Sequence, residues 1–217
     1  MTLDLGDGSA SGRIVQVIAM LTVLSLAPSL LVMVTSFTRI VVVLSFVRTA
    51  LGTQQSPPNQ VLVGLALFLT LFVMMPTLEQ SYEQGIRPLI EGEIDEATAF
   101  QRSVGPVRTF MLAHVREQDL ILFVDLAGIS DTQARTETPL RVLIPAFIIS
   151  ELRRAFEIGF LVFLPFLVID MVVASVLMSM GMMMLPPIII ALPFKIIFFV
   201  LVDGWYMLVG SLVRGFG

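Results

Sequence analysis

The sequence predicts an all-α membrane protein. Long, kinked apolar helices pair in hairpins, with a short amphipathic-helix region between them, and the whole assembles as an oligomeric helical channel. Three observations point to the helical membrane class. Of the 217 residues, 56% are hydrophobic and 14% charged, against roughly 45–50% apolar and about 25% charged in soluble globular domains. Three uncharged windows, 14–38, 49–78 and 171–194, each exceed the about 20 apolar residues that carry a helix across a bilayer. Strand-type alternation is weak throughout, and the sequence shows no internal repeat or low-complexity tract.

Four apolar helices follow. The first covers 14–34 (IVQVIAMLTVLSLAPSLLVMV) and continues through 40–47 (IVVVLSFV), kinked at Pro28, which has no backbone donor. The polar, Pro-rich GTQQSPPN at 52–59 separates it from the second, at 59–78. The third covers 158–180, with Pro165 inside, and the fourth covers 188–213. Residues 79–157 hold 21 of the 30 charged residues, 13 acidic and 8 basic, and form a separate, more polar region. There Ile94, Ala97 and Phe100, then Phe110, Met111 and Val115, recur at helical spacing over 93–116. A further short helix over 119–128 ends at Gly128. The chain therefore divides into a polar tail (1–13), an N-terminal helical hairpin (14–78), an amphipathic region (79–140) and a C-terminal hairpin (141–217) with a Met-rich loop at 181–187. Arg39 and Arg48 between the first two apolar segments mark that loop as cytoplasmic. The N-terminus and the acidic region then lie outside. The start, MTLDLGDGSASG, lacks a basic region and a cleavage site and reads as a mature chain with an added or retained Met.

Composition removes several functions. There is no Cys, which excludes disulfides, thiolate metal sites and thiol nucleophiles. The one His, His114, excludes a multi-His metal site within the chain and reads as a surface or amphipathic-face residue. Net charge is −4 without a basic stripe, so nucleic acid is not a partner. Glu91, Glu93, Asp95 and Glu96 cluster as a solvated face, with calcium as the alternative occupant. No phosphate loop, nucleophile–base pair or paired carboxylates stand out; neither an enzyme nor a cofactor site is expected.

Ionised groups in apolar helices need partners or a wet cavity. Arg39, Arg48, Asp170, Lys195 and Asp203 are the candidates. For Arg39, Arg48 and Asp203, snorkelling from a helix end stands beside an interior partner. Lys195 is the chain's one Lys, inside LPFKIIFFVLV. With a turn near Met184, Asp170 and Lys195 differ in depth by about 4–5 Å, so they can pair across the hairpin. Glu151, within ISELRRAFE, is the other candidate partner, from a different helix or a neighbouring copy. Arg153 and Glu157 satisfy one another at i,i+4.

Residues 170–187, DMVVASVLMSMGMMMLPP, hold six of the 13 Met. Gly181 frees the backbone, while Pro186 and Pro187 cannot continue a helix, so these three hinge the loop. Met is unbranched and polarizable and packs adaptably. Such a loop either fills a bundle core or, facing a lumen, forms a deformable seal. Non-helical backbone at membrane depth lies within protein or lines a cavity.

The runs LIPAFIISELRRAFEIGF, FLPFLVIDMVVASVLMSMGMMMLPP and LPFKIIFFVLVDGW, with SLLVMVTSFTRIVVVLSFVRTALGTQQSPPNQVLVGLALFLT before them, resemble the FliP family of flagellar biosynthetic proteins. Export-gate subunit R of virulence type III secretion systems shares this family. The resemblance implies a core channel subunit of the flagellar export gate, in the inner membrane at the basal body and projecting toward the periplasm. It implies a homo-oligomer, with a pentamer as the expected number, joined by FliQ and FliR and acting with FlhB and FlhA. The conduit would pass unfolded flagellar subunits, and Met182, Met183 and Met184 would form its seal. Some helices would face neighbouring copies rather than lipid. The alternative is a proton-coupled small-molecule transporter using Asp170, Lys195 and Asp203 as its relay, since broken helices also build transporter sites.

Overall fold

A computed structural model describes residues 17–18, 21–22, 25, 32–53, 55–129, 138–182 and 184–217. Among these residues the regular structure is helical. Most of the first expected helix, its kink at Pro28 and the polar tail lie outside them. The continuation expected from 34 into 40–47 is interrupted: Val34–Ser36 form a turn, and α1 (Phe37–Leu51) starts afresh. The Thr35 hydroxyl accepts the Phe37 N–H at 3.4 Å, a local side-chain bond that competes with helix propagation. Gly52, at φ +77°, ends α1 and donates to the Thr49 carbonyl; glycine takes this left-handed conformation without a Cβ clash.

Helix α2 (Asn59–Ser81) runs on through a π-helical turn (Tyr82–Ile86) into α3 (Arg87–Ile90), 32 residues in all, where 59–78 was expected. Glycine is required in the π turn. A Cβ on Gly85 would stand 2.6 Å from the Ala99 carbonyl oxygen, so its absence lets α4 (Glu96–His114) lie against the turn. Helix α5 (Glu117–Leu126) follows, and Gly128 is left-handed just beyond it, at φ +64°.

The largest departure is α6 (Leu140–Ser179), one helix of 40 residues where the third was expected to begin at 158. Charge does not stop a helix whose charges are satisfied. Arg153 and Glu157 pair at 3.0 Å one turn apart, and Glu151 finds a partner on α1. At 1.5 Å per residue α6 is about 60 Å long, twice the about 30 Å hydrocarbon layer. Its charge-bearing first half packs on α1, α4 and α5.

The fourth helix is also two: α7 (Pro187–Leu201) and α8 (Gly204–Arg214), bent by 61°. Asp203 takes φ +49° at the bend. A Cβ on Gly204 would meet the Phe199 ring at 2.3 Å. The Asp-Gly pair thus supplies both the left-handed residue and the close approach. By length and composition, 59–90 and 140–179 can each cross a membrane, and the bent pair makes a third if taken as one span.

Two apolar clusters hold these helices. One centres on Ile40, Val43, Leu44 and Val47 of α1, with Ala155, Phe166, Phe199 and Leu212. The other joins Met74, Phe110, Met111, Leu143 and Phe147 from α2, α4 and α6. The outer faces of α2, α6 and α7 stay apolar and exposed, as at Phe68, Phe72, Phe160, Leu161, Phe194 and Ile197. Such faces suit lipid or neighbouring chains rather than water.

Candidate functional site

Two buried ionic knots and one exposed tip hold part of the residues singled out above. On α6, Leu143, Phe147, Glu151, Ala155 and Gly159 recur every four residues and are buried together. Small side chains bring α1 close: a Cβ on Gly159 would lie 2.5 Å from the Phe46 ring. This row turns Glu151 toward Arg39, which shares the inward stripe of α1 with Val43 and Val47. Both are buried, at 2% exposure for Arg39 and 0% for Glu151. Arg39 Nε donates to Glu151 Oε2 at 2.8 Å, and Nη2 donates to Oε1. Its remaining terminal nitrogen, Nη1, donates to the Gly215 carbonyl at 3.1 Å, and Phe216 lies against the guanidinium. A planar fork satisfied on this many sides is the arrangement in which Arg, and not Lys, tolerates burial. Beside Glu151, the Ser150 hydroxyl donates to Asp119 at 2.7 Å and accepts the Arg116 N–H at 3.0 Å, tying α5 to α6.

The second knot lies around Lys195, 4% exposed. Its Nζ donates to Asp170 Oδ2 at 2.6 Å and to the Ala50 carbonyl at 3.2 Å. Ala50 is in the last turn of α1, whose final carbonyls have no intrahelical donor; the ammonium caps them and sits at the negative end of the helix dipole. One cation thus joins α1, α6 and α7. Of the two partners weighed for Lys195, Asp170 is the one placed against it. Glu151 is committed to Arg39, because the row on α6 points it toward α1 and not toward α7.

The other charged candidates sit apart. Asp203 is exposed at the 61° bend and forms no ion pair among the described residues. Arg48 caps the linker, donating to the Asn59 side chain and to the Pro57 carbonyl at 3.5 Å. His114 Nδ1 lies 2.8 Å from the Phe110 carbonyl, and its ring packs on Phe110 and Phe216. In the acidic cluster Glu91 pairs with Arg87 at 2.9 Å. No group of three acidic or His side chains among the described residues is placed to hold a metal ion.

The Met-rich stretch forms the tip of the α6–α7 hairpin. Gly181 is left-handed at φ +74°. Its N–H bonds the Met178 carbonyl, and the Met182 N–H bonds that of Leu177, the paired closure that ends many helices at glycine. Pro186 and Pro187 then open α7, where a missing donor costs nothing. Met180, Met182 and Leu185 are exposed, and Met184 is 98% exposed. Met183 lies outside the described residues.

Sequence reasoning missed the Arg39–Glu151 pair and Phe216. The spacing of Arg39 with Val43 and Val47, and of Glu151 with Phe147 and Ala155, was the available signal: each charge sits in an apolar stripe.

Helices of this length and apolarity, cross-linked by buried ion pairs, define a membrane protein assembled from helical hairpins. The FliP family model matches residues 20–212. The flagellar biosynthetic protein FliP of Caulobacter vibrioides is 61% identical over the whole chain and 82% of that relative. That of Bacillus subtilis is 54% identical over 93% of the chain and 91% of the relative. That of Aquifex aeolicus is 49% identical over 99% and 90%. The chain belongs to the FliP family and is a structural, membrane-embedded component of flagellar export.

Proposed function

We propose that the chain is a core channel subunit of the flagellar type III export gate, with Met182, Met183 and Met184 sealing a passage for unfolded flagellar subunits. Several copies, five as the expected number, surround that passage in the inner membrane at the basal body. The assembly projects toward the periplasm. FliQ and FliR complete it, and FlhB and FlhA act downstream of it.

The carrying observation is the tip. A large apolar side chain, Met184, is left almost wholly in the open on a loop with closed backbone geometry at both ends. Identical loops meeting at an axis would cover one another's thioethers, and a ring of apolar groups closes a pore to ions by excluding water. Met side chains rearrange at low cost, so the same ring yields to a passing chain. The transporter reading needs Asp170, Lys195 and Asp203 as one relay. Lys195 is occupied by Asp170 and the Ala50 carbonyl, and Asp203 is not hydrogen-bonded to either among the described residues.

Replacing Met182, Met183 and Met184 together by Ala is expected to raise ion leak across the cytoplasmic membrane, with assembly intact. Membrane conductance in cells expressing the complete gate is the readout. Unchanged leak in fully assembled gates would overturn the seal.

A further inference from the structure

Phe216 lies where the two apolar clusters meet, and among the described residues it is the one side chain packed against both. One face of its ring carries Arg39, with Cζ 3.7 Å from the ring centroid. Phe110 stacks at 6.0 Å with 20° between the planes, and His114 lies at 5.2 Å. The carbonyl just before it, on Gly215, accepts from Arg39 Nη1. Arg39 is itself fixed by Glu151, so the guanidinium plane under Phe216 is also held from α6.

The helix preceding this anchor is loosely seated. An apolar groove of about 390 Å³ separates α8 from α6, lined by Pro165, Phe166, Phe199, Met207 and Leu208. Leu208 and Leu212 are the apolar side chains that α8 buries. At its other end α8 begins at the 61° bend. An element with a defined hinge, a partly empty seat and one strong end contact has the parts of a two-position device.

We infer that Phe216 is a latch: its seat on the Arg39–Glu151 pair holds α8 in the bent, docked position, and its release lets α8 lift from α6 about Asp203 and Gly204 while the body stays folded. Arg39 contributes through the cation–π contact and the bond to Gly215 together, so the latch depends on the ring's π face and on the guanidinium's fixed plane.

The absence of cysteine gives a clean test. In the 217-residue chain, Leu212→Cys reports lifting of α8, Leu208→Cys repeats the reading one turn away, and Ala146→Cys, buried on α6, reports loosening of the body. Maleimide labelling rates are measured for each, in detergent, with Phe216 intact, Phe216→Ala or Phe216→Tyr. The latch predicts that Phe216→Ala speeds labelling at 212 and 208 by about tenfold or more, since reactivity of a buried probe follows the open population. It also predicts that Phe216→Tyr leaves both slow and that the 146 probe stays slow in every background. Unchanged rates at 212 and 208 would overturn the latch. So would a matching rise at 146, which would make Phe216 an ordinary core residue.

Discussion

Glu151→Ala is expected to destabilise the protein by about 3–5 kcal/mol, because it leaves the Arg39 guanidinium charged, buried and without its counter-ion. Neither side chain of the pair reaches solvent appreciably, so water cannot replace the lost carboxylate without opening the α1–α6 contact. That contact is the most extensive between helices in the molecule as described, and the damage spreads beyond the pair. Arg39→Lys is expected to fall between wild type and Glu151→Ala. It keeps a charge for Glu151 but loses the two-pronged geometry, the bond to Gly215 and the flat surface under Phe216. Removing both charges, as Arg39→Met with Glu151→Leu, is expected to cost less than Glu151→Ala alone, since no unpaired ion remains. Thermal unfolding of the detergent-solubilised chain checks the order. A Glu151→Ala protein that unfolds with the wild type would remove the structural role assigned to this pair.

Lys195→Glu is expected to be the most damaging change in the C-terminal hairpin. It sets a second carboxylate against Asp170 and points negative charge at the Ala50 carbonyl, where a cation now caps α1. Lys195→Met, which removes the charge and adds no repulsion, should still cost about 3–5 kcal/mol, because Asp170 Oδ1 is buried without a hydrogen-bond partner among the described residues and Oδ2 loses its bond to Nζ. The swap Asp170→Lys with Lys195→Asp should recover part of the assembled protein lost in Lys195→Glu. The combination Glu151→Lys with Lys195→Glu should recover none, because Glu151 faces Arg39. Recovery in the second combination and not in the first would reverse the pairing. The yield of membrane-extracted complex is the measurement.

These two knots also show how far a sequence can be read. The uncharged window at 49–78 locates α2, because burial in lipid demands uninterrupted apolar length, whereas the window at 171–194 straddles the α6–α7 tip and takes in only part of each helix. The apolar spacing around Phe110 and the stop at Gly128 locate α4 and α5 for local reasons of periodicity and backbone freedom. The first half of α6 is hidden because ISELRRAFE looks like a polar connector. What makes it helix is partly a pair one turn apart and partly a partner 112 residues away. The bend at Asp203 is hidden in a different way. The Asp-Gly pair is visible, but the surrounding hydrophobicity reads as one continuous span until Phe199 is seen to need the space beside Gly204. Lys195 and Asp170 could be related by depth because one hairpin joins them. Arg39 and Glu151 belong to different hairpins, and no local spacing relates them.

The claim on which the functional reading rests is that the methionine tips of neighbouring copies meet. Met184→Cys in the otherwise cysteine-free chain tests this in assembled gates treated with a short bis-maleimide. Convergent tips predict covalent multimers of this chain. A control cysteine at Ile90, also open in the single chain at 72% exposure, should give none. Monomer alone from Met184→Cys, in gates where a single-headed maleimide labels that cysteine freely, would contradict the account.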